Sequence, residues 1–354
     1  MTELAADARP VPSQADRPPL PPADPVVSLP IVTLLPFSRC NCRCAMCDIW
    51  KEKASTALSA RDVERLVGDF VRLGTRRVVL SGGEPLMHPD LFGLVRPLLE
   101  AGVGLTLLSS GLLLERFAGP IASAFDDVVV SLDGPAEVHD AIRGVPGAFE
   151  RLRRGVAALR RARPVPSLRG RCTVQRANLA RLCDTVGAAR DLGLDGISFL
   201  AADTTSPAFG RAAGWSPESR ARVSPDAGEL ERLAAEIERL EATRADDLSS
   251  GFVAESASKL RARLLDHFRA VDGAGPFPPS SCNAPWVSAV VEADLSVRPC
   301  FFHPSYGRLG EGGLAAVVNG EAALAFRRAL DPATDPVCLR CPCRLNLRRG
   351  EEAP

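Results

Sequence analysis

The feature that most limits the fold is an alternation of apolar strands with amphipathic helices from residue 29 to about residue 202. Six segments have the length and composition of buried strands: Leu29–Leu35, Arg77–Ser81, Gly104–Ser109, Asp127–Leu132, Leu168–Val174 and Gly196–Ala201. Helical periodicity fills intervals between them, as at Ser59–Leu73, Leu91–Ala101, Phe149–Ala162 and Leu179–Leu192. Such repeated units predict an α/β fold whose parallel sheet has right-handed crossovers. The strand spacing alone fits a doubly wound sheet and a partial barrel equally well.

A cysteine-rich loop follows the first predicted strand. Cys40, Cys44 and Cys47 have the spacing C-x3-C-x2-C. A cubane iron–sulfur cluster normally takes four thiolates, so three cysteines leave one iron able to bind a small molecule. A structural zinc ion instead needs four protein ligands, usually from two cysteine pairs. Cys42 lies inside the loop but outside this spacing, and we do not expect it to be a ligand.

Polar residues follow the next three predicted strands, where α/β barrels carry their chemistry. In chain order the candidates are Gly82, Gly83, Glu84, Pro85, Ser110, Ser131 and Asp133, and Arg143 follows in a helix-like segment. Two glycines let the backbone approach a ligand closely, and their carbonyls together with Glu84 offer acceptors for an ammonium group. The planar fork of Arg143 suits a carboxylate.

These segments together resemble the radical S-adenosylmethionine (SAM) superfamily, which shares the cysteine spacing, a GGE segment and, in one branch, an HDxxRG segment like His139–Gly144. The resemblance implies a partial (β/α)6 TIM-like barrel. It implies that Cys40, Cys44 and Cys47 hold a catalytic [4Fe-4S] cluster whose open iron chelates SAM. The other SAM contacts would then come from Gly82, Gly83, Glu84, Pro85, Ser110, Ser131, Asp133 and Arg143.

Five cysteines return near the C-terminus. Cys282, Cys300, Cys338 and Cys341 offer four thiolates, and Cys343 is a spare thiol. They resemble the twitch form of the SPASM extension, which holds one auxiliary [4Fe-4S] cluster. The extension usually has glycine five residues before its second cysteine, a position that Leu295 occupies here. Because four cysteines also suit tetrahedral zinc, zinc stays an alternative at this site.

Composition and punctuation predict four regions: a disordered Pro-rich tail at 1–28, a core barrel at 29–202, a helical connector at 203–275 and an auxiliary-cluster extension at 276–354. The chain has 43 basic and 43 acidic residues, which gives no electrostatic case for nucleic acid. No apolar run is long enough to predict a membrane span, and residues 1–28 lack the features of a secretory signal. Eleven cysteines then favour metal ligation in a reducing cytoplasm.

The resemblance implies an enzyme that reductively cleaves SAM to a 5′-deoxyadenosyl radical, which abstracts hydrogen from a substrate. It implies an electron donor such as a ferredoxin or flavodoxin. An auxiliary cluster with four cysteine ligands has no open iron, so it would relay an electron and favour an oxidative outcome. We expect modification of a peptide or protein side chain by a maturase. The alternatives are dehydrogenation or rearrangement of a small metabolite such as an aminosugar, and a metal-binding regulator without catalysis.

Overall fold

The computed structural model describes residues 25–162, 166–211 and 214–347. Most of the predicted tail, residues 1–24, lies outside this range. The strands are β1 (Ile31–Leu34), β2 (Arg77–Leu80), β3 (Gly104–Ser109), β4 (Asp127–Ser131), β5 (Ser167–Val174), β6 (Gly196–Ala201), β7 (Ser288–Val291), β8 (Ser296–Arg298) and β9 (Gly307–Arg308). All six strands predicted for the core are present, and the ends of each strand lie within two residues of the predicted ends.

The first group of helices alternates with the strands: α1 (Ala60–Arg72), α2 (Leu91–Glu100), α3 (Leu114–Ala124), α4 (Ala136–Arg143), α5 (Ala148–Arg161) and α6 (Leu182–Asp191). α1 begins at a reciprocal capping box that Ser59 and Asp62 form. Leu94, Leu98, Leu152 and Val156 are fully buried against the sheet. Burial of these apolar side chains is the main favourable contribution to the stability of the core.

The remaining helices follow β6. They are α7 (Pro217–Val223), α8 (Ala227–Thr243), α9 (Ala245–Ser249), α10 (Ala257–Leu260), α11 (His267–Val271), α12 (Ala284–Val287), α13 (Gly313–Val318), α14 (Glu321–Ala329) and α15 (Pro336–Arg340). One turn of π-helix, Arg261–Asp266, joins α10 to α11. Within the described ranges, no helix is both long enough and apolar enough to cross a membrane.

All nine strands form one sheet in the order β6-β5-β4-β3-β2-β1-β7-β8-β9. Strands β1 to β7 are parallel where they pair, and β8 and β9 add antiparallel pairs. In the part of the chain that is described, the edge strands β6 and β9 do not pair, so the barrel is open. The predicted partial barrel with a cysteine-rich extension is therefore confirmed, and the doubly wound alternative is not needed.

The extension shares its sheet with the barrel. β7 pairs in parallel with β1 from Ile31 opposite Ser288 to Leu34 opposite Val291. The hairpin predicted around Ala293 and Asp294 is present as β7 and β8. The turn places Leu295 at a φ of 70°, a conformation that glycine adopts without strain. Leu295 is also the position at which the SPASM extension usually has glycine, so the resemblance and the backbone agree on what this turn requires.

Candidate functional site

The cysteine loop follows β1 in the sequence and packs against the C-terminal end of α4. Two backbone bonds fix it there: Arg43 N–H donates to the Arg143 carbonyl at 2.8 Å, and Ala45 N–H donates to the Ile142 carbonyl at 2.9 Å. Gly144 allows this approach, since a Cβ there would lie 2.7 Å from the Arg43 carbonyl oxygen. Gly144 also has a φ of 62°, in the left-handed region. The HDxxRG segment thus supports the loop through its backbone.

Arg143 places a positive charge beside Cys44. Its guanidinium lies 2.6 Å from Asp133 Oδ2 and 3.6 Å from Cys44 Sγ, and all three side chains are buried. Although burial opposes the charge, Asp133 and Cys44 raise the pKa of Arg143. A hydrogen bond from Cys42 and, despite burial, the charge of Arg143 lower the pKa of Cys44 to about 6. A low pKa favours the thiolate, which is the form that binds metals.

Asp133 is held by backbone and side-chain donors at the carboxyl ends of β4 and β5. Its Oδ1 accepts from Thr173 N–H at 3.0 Å, and its carbonyl accepts from Asn178 Nδ2 at 3.0 Å. His139 Nδ1 accepts from the Asp133 N–H at 3.2 Å. Burial and the nearby Arg143 lower the pKa of His139 to about 4, so the ring is neutral near pH 7. Asp133 therefore fixes Arg143 in place, a contact that the sequence did not indicate.

Glu84 joins the end of β2 to the end of β3. Its carboxylate accepts from Ser109 Oγ at 2.9 Å, from Ser110 N–H at 2.7 Å and from Leu86 N–H at 3.2 Å. Burial raises the pKa of Glu84, while the bonds from Ser109 and Ser110 act in the opposite direction. The carboxylate thus already has protein donors, and the free acceptors near a bound ammonium would be backbone carbonyls of the preceding glycines.

The glycines pack directly against the cysteine loop. A Cβ on Gly83 would lie 2.0 Å from the Arg39 carbonyl oxygen, and Gly82 has a φ of 106°. Pro85 begins a short 3-10 helix capped by Glu84. Ser110 Oγ donates to Asn41 Oδ1 at 3.1 Å, which adds a side-chain link to the loop. The structure therefore brings the predicted GGEP segment and Ser110 together with the loop.

Ser131 lies at the same edge as the last residue of β4, opposite Arg171 of β5. Beyond it, Gln175 and Thr204 follow β5 and β6. Gln175 Nε2 and Thr204 Oγ1 are buried and have no hydrogen-bond partner among the described residues. Buried polar atoms without partners are uncommon and indicate a bound polar group. Both residues lie just past the carboxyl ends of β5 and β6, and their only signal in the sequence was a polar residue soon after a predicted strand.

The C-terminal cysteines converge on one pocket. Cys282, Cys300, Cys338, Cys341 and Cys343 all line it, and it encloses about 360 Å³, part of which is open to solvent. Cys338 and Cys341 are buried, Cys282 and Cys300 are half-buried, and Cys343 is exposed. Segments far apart in sequence therefore supply thiols to a single site. Two further cysteines, Cys172 and Cys183, are buried core residues of β5 and α6.

The spacing of the sulfurs distinguishes a zinc ion from a larger cluster. Around tetrahedral zinc with bonds of about 2.3 Å, sulfurs lie about 3.8 Å apart. Among the described residues, only His303, Asp335 and Cys338 have ligand atoms that all lie within 4.8 Å of one another, and no three cysteine sulfurs do so. Among the described residues, neither cysteine group has three sulfurs at the spacing of a zinc site, and the all-thiol donor sets of both groups fit iron–sulfur clusters.

His303 belongs to the auxiliary pocket. Its side chain is 4% exposed, and Nε2 lies 3.3 Å from Cys338 Sγ. Asp335 lies 3.7 Å from the same ring and caps α15 by accepting from the N–H groups of Val337 and Cys338. Burial lowers the pKa of His303. Both residues therefore orient Cys338.

Family profiles match both cysteine regions. Residues 34–174 match the profile described as the radical SAM superfamily. Residues 282–342 match SPASM, described as an iron–sulfur cluster-binding domain. The matched regions contain the two cysteine sets that the structure places in separate sites, joined by one sheet.

Two curated relatives illustrate the sequence similarity. The AdoMet-dependent heme synthase of Methanosarcina barkeri is 35% identical over 163 residues, which is 44% of this chain and 45% of that protein. The chain thus matches less than half the length of this relative. The PqqA peptide cyclase of Ruegeria pomeroyi is 28% identical over 337 residues, which is 92% of this chain and 82% of that protein.

Solved structures show the same fold at low identity. Streptococcus suis SuiB bound to the precursor peptide SuiA has a TM-score of 0.62 at 13% identity, covering 90% of this chain and 72% of SuiB. Native anSMEcpe with bound AdoMet has a TM-score of 0.61 at 16% identity, covering 86% of this chain and 84% of that one. The cofactors implied by both profiles are a SAM-binding [4Fe-4S] cluster, SAM and an auxiliary iron–sulfur cluster. Profiles, fold and cysteine geometry agree that this chain belongs to the radical SAM superfamily and carries a SPASM-type extension.

Proposed function

We propose that this chain is a radical SAM oxidoreductase that modifies a peptide or protein side chain. The observation that carries the proposal is the match to a PqqA peptide cyclase over 92% of the chain. Solved structures with this fold include SuiB bound to its precursor peptide SuiA and anSMEcpe with a peptide named Cp18Cys. Their low identity supports the fold, and the peptide is our extension to this chain.

The residues of the first site have separate tasks in this proposal. Cys40, Cys44 and Cys47 hold the cluster, which when bound supplies the electron that splits SAM into methionine and a 5′-deoxyadenosyl radical. The guanidinium of Arg143 offsets the negative charge of the thiolates. The Gly82 and Gly83 backbone and the unpartnered Gln175 and Thr204 groups orient SAM.

The second site supports an oxidative outcome. Cys282, Cys300, Cys338 and Cys341 supply four thiolates, the number that fills every protein ligand position of a cubane cluster. A site without an open iron does not bind substrate through the metal, so its contribution is to take up an electron. A ferredoxin or flavodoxin as the donor for the first site remains part of the proposal.

The heme synthase relatives favour a second candidate, a modification of a tetrapyrrole side chain. Their identity reaches 35%, but it covers less than half of either protein. The match to the peptide cyclase covers most of both proteins. A tetrapyrrole substrate is therefore the outcome to test against a peptide, together with the small metabolites that the sequence left open.

The first test measures 5′-deoxyadenosine after anaerobic cluster reconstitution with SAM and dithionite. We expect wild type and Cys42→Ala to form it and Cys44→Ala to lose at least about 100-fold, because Cys44, unlike Cys42, is expected to ligate iron. Cys42 and Cys44 are both buried in the same loop, so they form a matched pair. Equal activity of the two variants would contradict the ligand assignment. Stimulation by a precursor peptide encoded nearby, but not by coproporphyrin, would support the peptide substrate.

Iron content tests the auxiliary ligand set. Wild type is expected to bind about eight iron atoms per chain and Cys338→Ala fewer, since the variant keeps only three of the four thiolates assigned to the auxiliary cluster. Cys343→Ala is expected to retain the wild-type content because Cys343 is the exposed member of the pocket. If Cys343→Ala lost iron while Cys338→Ala kept it, the ligand set would have to be revised to include Cys343.

A further inference from the structure

We infer that Phe209 is a positioning residue that ties the Cys40–Cys47 loop to the auxiliary cysteine pocket and fixes their relative placement. The inference rests on the proposed function, in which both cysteine sets hold clusters. Phe209 belongs to the bridging loop, residues 203–211, which follows β6. In this loop one residue, Phe209, contacts both sites.

On one side, the Phe209 backbone holds the cysteine loop. Its carbonyl accepts from Asp48 N–H at 2.9 Å and lies 3.9 Å from Cys47 Sγ. Gly210 allows the approach, because a Cβ there would lie 2.7 Å from the backbone of Asp48 and Ile49. Trp215 adds a second contact by donating from Nε1 to Asp48 Oδ2 at 2.9 Å. The residue after Cys47 is therefore fixed by backbone and side chain.

On the other side, the Phe209 ring packs on the two residues that follow Cys300. It stacks on Phe301 with ring centroids 6.4 Å apart and meets Phe302 edge to face at 5.8 Å. Aromatic pairs at these separations are favourable beyond their apolar burial. Phe302 N–H in turn donates to Cys300 Sγ at 3.5 Å. One residue thus contacts the neighbours of a cysteine in each set.

The bridging loop is held in a conformation that Phe209 would not adopt alone. Phe209 has a φ of 58°, which is uncommon for a residue with a bulky side chain. A buried ion pair maintains it: Arg211 donates to the Asp203 carboxylate and carbonyl and, through Nε, to the Ala208 carbonyl at 2.7 Å. Backbone strain of this kind persists only where surrounding contacts over-determine it. The contacts at both ends of Phe209 are such a constraint.

A fixed separation matters for the chemistry proposed above. Reacting groups must be held in a productive geometry, and a displacement of about 1 Å can cost about 100-fold in rate. The two cysteine sets come from distant parts of the sequence, and the β1–β7 pairing joins the barrel to the extension within one sheet. The Phe209 contacts add a direct connection between the cysteine loop and the residues that follow Cys300.

The test uses anaerobically reconstituted full-length protein. Phe209→Gly keeps a backbone that accepts the positive φ but removes the ring, and Phe209→Tyr keeps the ring. Phe301→Ala removes the partner ring from the other side. A ring pair between α2 and α3, Phe117 with Phe92, provides the control variant Phe117→Ala.

Two measurements test whether Phe209 connects the two sites. Pulsed EPR gives the distance distribution between the two reduced clusters, and hydrogen exchange gives the protection of the peptides that contain Asp48 and Phe302. We expect a broader distribution and about tenfold faster exchange of both peptides in Phe209→Gly and Phe301→Ala. Phe209→Tyr and Phe117→Ala are expected to match wild type at these peptides.

An unchanged distance distribution together with unchanged exchange in Phe209→Gly would overturn the inference. Failure of the proposed function would look different: wild type would bind no paramagnetic cluster at one of the sites. The exchange measurement on metal-free protein still decides the inference in that case, because the contacts of Phe209 are between protein groups. Iron content and SAM binding of each variant are measured in parallel.

Discussion

Arg143→Met is expected to destabilise the protein by about 3–5 kcal/mol, because it leaves the Asp133 carboxylate buried without its counter-charge. Asp133 has no exposed side-chain surface, and its Oδ2 lies 2.6 Å from the Arg143 guanidinium. A buried carboxylate that loses its partner keeps the cost of its desolvation without the compensating ion pair. At the surface, water replaces the lost partner. The measurement is denaturant unfolding of metal-free protein followed by circular dichroism.

Two further variants separate the charge from the shape. Arg143→Lys keeps a positive charge but replaces a planar fork that reaches both Asp133 and Cys44. We expect it to recover more than half of the lost stability without restoring the contact with Cys44. The control Arg154→Met breaks the exposed pair with Glu115 and is expected to leave the unfolding midpoint nearly unchanged.

The same variants address SAM binding. The resemblance assigns Arg143 to SAM, whereas the structure shows it held by Asp133 beside Cys44. If Arg143→Lys keeps its iron and its stability yet loses SAM affinity, both roles hold. Unfolding of Arg143→Met at the wild-type midpoint would contradict the buried pair as a source of stability.

The core strands could be predicted because their signal is local. Apolar β-branched runs such as Val78–Leu80 and Val128–Val130, each followed by a polar turn, carry enough information in a few residues to locate strands that the structure confirms. The capping box at Ser59 and the hairpin around Asp294 are local in the same way. The pairing of β7 with β1 could not be predicted, because no local pattern specifies which strands pair when they lie more than 250 residues apart in the sequence.

The residues of the site also divide into those that local sequence identifies and those that only the folded structure brings together. The cysteines and the GGEP segment could be identified because ligand spacing and residue type are written in consecutive positions. The contacts of Asp133 with Arg143, of Glu84 with Ser109 and of Phe209 with Phe301 join residues whose spacing in sequence has no pattern. These contacts depend on the curvature of the sheet, which brings the carboxyl ends of different strands together. Residue roles that depend on such contacts required the structure.

Gly83→Ala tests whether the cluster needs the close packing of the GGEP segment on the cysteine loop. A Cβ on Gly83 would lie 2.0 Å from the Arg39 carbonyl oxygen, so the backbone on one side must move. Arg39 directly precedes Cys40, and the same carbonyl accepts the Glu84 N–H at 2.9 Å. A shift there displaces the first cysteine of the loop. We expect a loss of stability of about 1–3 kcal/mol and a fall from about eight to about four iron atoms per chain.

Gly68→Ala is the matched control, because a Cβ at this exposed position in α1 would meet no atom within 4 Å. Alanine in a helix interior is favoured over glycine by about 0.5–1 kcal/mol, so this variant should be as stable as wild type or more so, with full iron content. Gly83 lies outside the positive-φ glycines, so steric contact rather than backbone conformation separates the two substitutions. Full iron loading and wild-type stability in Gly83→Ala would show that the turn can relax without moving Cys40, and the close packing of the GGEP segment on the cysteine loop would then have no role in cluster binding.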